Sequence, residues 1–194
     1  MKKFLLIFMA LFMCLCLFSC GEDDGVPSGM KLASNTDIVA YKLFVPESWI
    51  VANAQATTQA YVSESDRTNI NIAQWEYTDK VENWWTHEYQ PQVMGTAVQD
   101  CKILNEGEAI TLDKRPATKY EYTGKIGDSY FKYTVIACVT DGSIHVIHIT
   151  YMQSATMDGD KVVPSVDENG NPVFKAEETN KEAITLVLDN FKFN

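Results

Sequence analysis

The sequence predicts an α+β domain, an antiparallel sheet with helices packed on it, and three observations carry that expectation. Apolar and polar residues alternate over Asn69-Ile70-Asn71-Ile72-Ala73-Gln74-Trp75, the period-two pattern of a half-buried strand. The block from Lys102 to Met152 is dense in strand-like segments and holds Thr140-Asp141-Gly142-Ser143, whose Asp-Gly pair suits a two-residue hairpin turn. Helical spacing occurs in only two places, at Val81, Trp84, Trp85 and Tyr89, and at Ala183, Ile184, Val187, Leu188 and Phe191. Runs of strands with one central and one terminal helix describe α+β, not a strand–helix alternation.

Taken in chain order, the first element is a targeting segment. Lys2 and Lys3 form a positive start, an apolar stretch runs from Phe4 to Phe18, and Ser19-Cys20 follows. Leu17-Phe18-Ser19-Cys20 resembles a bacterial lipobox, with Leu at −3, a small residue at −1 and cysteine at +1. That resemblance implies a signal peptide over 1–19, cleavage before Cys20, and a diacylglyceryl thioether with acyl (palmitate-type) chains on its sulfur. An apolar stretch this short, broken at once by Gly21-Glu22-Asp23-Asp24, is a poor membrane-spanning helix.

Residues 20–36 read as a lipidated N-terminus and flexible tether, polar and without periodicity. The domain is expected over 37–194. Ala40–Val45 reads as a strand stopped by Pro46. Gln59–Ser63 and Asn69–Trp75 read as strands joined by the polar turn Glu64–Arg67. A helix follows, with Thr78-Asp79 as its cap and a kink or restart at Pro91. Lys102–Leu112, Ala117–Thr123, Tyr130–Val139 and Ile144–Tyr151 are expected to form an up-and-down meander. A polar loop around Asn169-Gly170-Asn171-Pro172 leads to the closing helix.

The full chain of 194 residues is long enough for one well-packed domain, and its net charge is −10. Loss of Lys2 and Lys3 with the signal takes that to −12. With no basic cluster to neutralise phosphates, nucleic acid is excluded as a partner. The same charge gives no help at an anionic membrane, so the lipid on Cys20 is expected to be the anchor.

The opening Leu43-Phe44-Val45-Pro46-Glu47-Ser48-Trp49 resembles the hydrophobic–Pro–x–x–Trp start of the PsbP-like family. The strand-rich middle with its long hairpin, and the closing Ile184–Phe193 with Asn190-Phe191-Lys192-Phe193, are similar to the same family. The resemblance implies a sheet with helices on both faces, and a protein that binds or assists others without shared chemistry.

Candidate chemistry is sparse. His145 and His148 are three apart on one strand, so they project to opposite faces and cannot chelate one ion together. His87 has no ligand partner at i+4. Asp167, Asn169, Asn171 and Glu178 stand at calcium-loop positions 1, 3, 5 and 12, but Pro172 occupies position 6, where Gly is required. Glu106, Glu108, Asp113 and Glu121 show no acid–base spacing. No metal site and no cofactor are expected. Trp84 and Trp85, as helical neighbours about 100° apart, are expected to leave one ring partly exposed as an interface. Trp49 is expected in the core. After processing only Cys101 and Cys138 remain as thiols; counting along the meander puts Cys101 level with Asp128 and Cys138 level with Asp113, too far apart to pair.

The function expected is therefore a membrane-anchored, extracytoplasmic, non-catalytic module in the bacterial envelope, binding a protein or small-molecule partner. The alternative is an envelope hydrolase or metal-dependent enzyme whose Glu and His groups the sequence does not place together.

Overall fold

The structure, a computed structural model, describes residues 25–54 and 56–194. The signal segment and Cys20 lie outside the described residues. The chain begins with β1 (Met30–Leu32), β2 (Tyr41–Lys42), β3 (Phe44–Pro46), β4 (Ile50–Val51), β5 (Thr58–Tyr61) and β6 (Asn69–Glu76). Helix α1 (Val81–Trp84) runs on as a π-helix over Trp85–Ala97. Four long strands follow, β7 (Gln99–Leu112), β8 (Arg115–Ile126), β9 (Ser129–Thr140) and β10 (Ser143–Met152). The chain closes with β11 (Ala155–Asp158), β12 (Lys161–Pro164), α2 (Lys175–Asp189) and β13 (Lys192–Phe193).

Seven strands form one sheet in the order β4-β5-β6-β10-β9-β8-β7, every pairing antiparallel. The expected meander is present, and tight turns make it. Asp113 and Lys114 adopt φ of 44° and 67°, and Asp141 and Gly142 adopt 52° and 78°. Positive φ at both central residues is what a twist-matched two-residue hairpin turn requires.

Alternation along these strands feeds two cores. Ile136, Cys138, Ile147 and Ile149 cluster with Ile184, Val187 and Phe191 from the C-terminal segment. Their neighbours Val135, Ala137, Ile144 and Val146 cluster with Trp84, Trp85 and Tyr89. Trp49 is buried in the first cluster, as expected.

Several expectations need correction. The domain starts before Asp37: β1 pairs with β3, and Met30, Ala33 and Ser34 are buried. Polar composition hid a three-residue strand there. The stretch Ala40–Val45 is split between two partners, since β2 pairs with β13 while β3 pairs with β1. The central helix does not restart at Pro91. It continues as a π-helix, whose wider i→i+5 turn replaces the i→i+4 ladder that proline disrupts. Its entry residue is Lys80, with Asp79 accepting from the Lys80 N–H at 2.8 Å. The closing helix stops at Asp189, and the expected polar loop contains the hairpin β11–β12.

Cys101 and Cys138 are both free thiols. The register differs from simple counting because the turns are shorter and β7 is irregular between Gln99 and Glu108. Cys138 lies opposite His145 and one residue from the Ala137–Thr118 pair. Cys101 Sγ lies 3.2 Å from where a Cβ on Gly124 would stand, and Gly124 pairs with Phe131. The thiols are thus about seven strand positions apart, on the order of 23 Å, and they pack in opposite cores.

Candidate functional site

Trp84 and Trp85 are each only 2% exposed, which corrects the expectation that one would form an interface. Trp85 stacks on Tyr120 of β8 with ring centroids 4.0 Å apart. Trp84 leans the other way, 4.9 Å from Tyr89 and 6.2 Å from Trp75 of β6. A helix stripe wider than about 100° buries two neighbours at once when large rings cover the sheet beneath it.

Inside this aromatic core a polar chain is enclosed. His148 Nε2 lies 3.0 Å from the Tyr89 hydroxyl, which lies 2.9 Å from the Tyr122 hydroxyl. Desolvation pushes the His148 pKa down to about 4, so its ring is neutral at pH 7 and can accept the Tyr89 proton. Desolvation also raises Tyr89 and Tyr122 far above the ordinary phenol value. The chain therefore satisfies buried polar atoms and offers no group that titrates near neutrality. Tyr120 Oη is buried with no hydrogen-bond partner among the described residues.

His145 is on the opposite face, edge-on to Tyr41 and Phe193. Its pKa is likewise lowered to about 4, chiefly by burial, and its Nδ1 has no hydrogen-bond partner among the described residues. His87 is exposed on the π-helix. The calcium-like loop is closed by its own turn: Asp167 Oδ1 accepts the Asn169 and Asn171 N–H groups at 2.9 and 2.8 Å. The Asn171 side-chain amide first, then these backbone N–H groups, hold the Asp167 carboxyl below its usual range. Among the described residues, no three His, Cys, Asp or Glu side chains cluster as a metal site would require. Glu108 is engaged by Lys119 at 2.6 Å and Asp113 by Lys192 at 3.1 Å, pairings that tie strands together. Lys132 bridges Glu177 at 2.5 Å and Glu121 at 3.8 Å, fastening the first turn of α2 to the sheet.

What remains is surface shape. One depression, about 790 Å³, is lined by α2 alone, so it offers a ligand one wall. A groove of about 390 Å³ is built differently, from the ends of β7, β8 and β9 and the 153–172 segment. Tyr130, Pro164, Val166 and Pro172 supply its apolar surface, and Lys102 and Lys125 stand among its charges. Tyr130 donates to Asp100 at 3.2 Å, and the Lys125 ammonium sits 6.0 Å above the Tyr130 ring. A neighbouring space of about 300 Å³ continues the groove beneath the hairpin, between Met152, Ala155, Val162 and Pro164. An apolar floor with a few polar groups is the usual make-up of a binding cleft. Of these positions only Pro172 was singled out in the sequence, as part of a turn, because the groove converges only when four distant segments meet.

This architecture matches a solved structure. Cyanobacterial PsbP (CyanoP) from Synechocystis superposes with a TM-score of 0.56 at 14% identity, covering 91% of this chain and 98% of that one. The chain has a PsbP-like fold. Two further structures align with a TM-score of 0.48 each. One, from Bacteroides thetaiotaomicron, is 9% identical, with 87% of this chain and 49% of that chain covered. The other is LpqN, involved in cell envelope biogenesis of Mycobacterium tuberculosis, at 11% identity with 79% and 83% covered. No family model and no curated protein matches the sequence. A PsbP-like fold fixes the scaffold and not the function. No helix among the described residues is long and apolar enough to cross a membrane.

Proposed function

We propose that the chain is an extracytoplasmic accessory lipoprotein of the bacterial envelope, anchored through Cys20, which binds a protein or small ligand and catalyses nothing itself. Its sheet is sandwiched between α1 with its π-helical extension on one face and α2 on the other. The observation that carries the binding reading is the groove walled by Tyr130, Val166 and the hairpin, a recess of about 390 Å³ with walls from several segments, a mixed apolar and charged lining and a continuation of about 300 Å³ beneath the hairpin. His145 and His148, held neutral by desolvation and packed among aromatic rings, support a non-catalytic role, since a general base needs access to substrate.

The lipobox supports the anchor. Cys20→Ala is expected to release the protein from membranes washed with carbonate, because an acyl-bearing residue is the anchor in this account. Retention of the variant in the washed membrane would contradict it.

A further inference from the structure

The hairpin β11–β12 is unlike the rest of the molecule. All eight of its strand residues are exposed. Cross-strand partners share a face, so Ala155 with Pro164 and Met157 with Val162 make one side wholly apolar. Met157 is 65% and Val162 67% exposed. An isolated two-stranded ribbon is marginal in water.

Its position is set by the register. Ile50, Tyr61, Asn69, Thr150, Tyr133, Tyr122 and Ile103 pair in one continuous row across the sheet. Just beyond this row β10 leaves the sheet at Met152 and runs into the hairpin. The turn Pro46–Trp49, which enters β4 at Ile50, lies at the same end. Gly29 accepts the Glu47 N–H there, and Met30 pairs with Pro46. The N-terminal segment and the hairpin therefore leave the same end of the sheet.

That end also gathers exposed apolar side chains. Of the twelve large ones among the described residues, seven are there: Val26 on the N-terminal segment, then Ile126, Met152, Met157, Val162, Val163 and Val166. Scattered single hydrophobics are ordinary, but a concentration on one end marks a contact surface. Ten residues separate Cys20 from Met30. Even fully extended they reach no more than about 35 Å. A lipid on Cys20 would hold this apolar end close to the bilayer at high effective concentration.

We propose that the hairpin end of the sheet is a membrane-facing surface, with β11–β12 lying on the bilayer; this rests on the lipid anchor at Cys20. The contact is apolar in origin. Glu47, Asp100, Asp128, Asp158 and Asp160 stand at this end beside Lys31, Lys102, Lys125 and Lys161, so it carries no net positive charge. Anionic lipid therefore does not strengthen it. The tip at Asp158 and Asp160 stays among headgroups, and the exposed Met157 and Val162 beside it make the apolar contact. The binding groove then opens at the membrane surface.

Hydrogen exchange on two forms of the protein tests this: the full lipidated protein in phosphatidylcholine vesicles, and the Cys20→Ala mature protein free in solution. Amides of 155–164 should exchange about tenfold more slowly on the vesicles. Met157→Asp with Val162→Asp should abolish that protection while leaving the protein vesicle-bound through its lipid. Adding anionic lipid should not increase the protection. Equal exchange on and off vesicles, with the lipid on Cys20 confirmed by mass, would overturn the membrane-facing surface while leaving the anchor intact. So would protection of the lipid-free protein that grows with its concentration, which would assign the hairpin to a second copy. A mature mass lacking the lipid would instead overturn the anchor, and the surface with it.

Discussion

His145 and His148 show how three positions on one strand divide a molecule. Each is neutral because burial lowers its pKa to about 4, but they sit in different cores. In the unfolded chain a histidine titrates near 6.5. A folded pKa below that value means the stabilisation is complete above about pH 6.5 and is lost as pH falls from there towards 4. At about 1.4 kcal/mol per pKa unit, each histidine accounts for at most about 3 kcal/mol across that window. Urea unfolding should therefore show a midpoint that falls between pH 7 and pH 5, before carboxylates begin to protonate. A flat midpoint would mean that neither ring is buried as described. Trp49 is a packing residue, 3% exposed, and its place in the core was legible from the Pro46–Trp49 spacing. Trp49→Ala should cost about 3–5 kcal/mol, read as a lowered melting temperature, and an unchanged value would put the ring at the surface. The pairing of Tyr89 with Tyr122 and His148 was not legible. These residues are 33 and 59 positions apart in sequence, and local pattern carries no signal across such gaps.

At the scale of elements, the long strands were readable because their alternation is driven by burial on both faces and their turns carry Asp and Gly. Asp141-Gly142 is a case where the turn chemistry and the observed register, Thr140 to Ser143, agree. Elements that bury little were invisible. The ribbon β11–β12 has no core residue to announce it, and β1 is three residues in a polar stretch. The π-helix was hidden for a different reason, since its i→i+5 turn departs from the 3.6-residue apolar period that marks an α-helix. The meander itself has a direct consequence. With Cys101 and Cys138 packed on opposite faces, thiol counting on denatured, unreduced mature protein should find both free. Finding neither would contradict the strand order. The irregular, charge-bearing edge strand β7 also resists pairing with another sheet, so a strand-adding partner is not expected there.

The whole molecule is a scaffold with two differentiated ends. One end carries the turns Asp113–Lys114 and Asp141–Gly142, closed by the Arg115–Asp141 ion pair at 2.7 Å. The other carries the N-terminal segment, the exposed hairpin and the groove. In the proposed function, binding takes place in that groove. A photo-crosslinking amino acid at Tyr130, inside the groove, and another at Leu186, on the solvent face of α2, compare the two surfaces in the intact envelope. The account predicts a discrete adduct from position 130 and none from 186. Adducts from position 186 with none from 130 would contradict it.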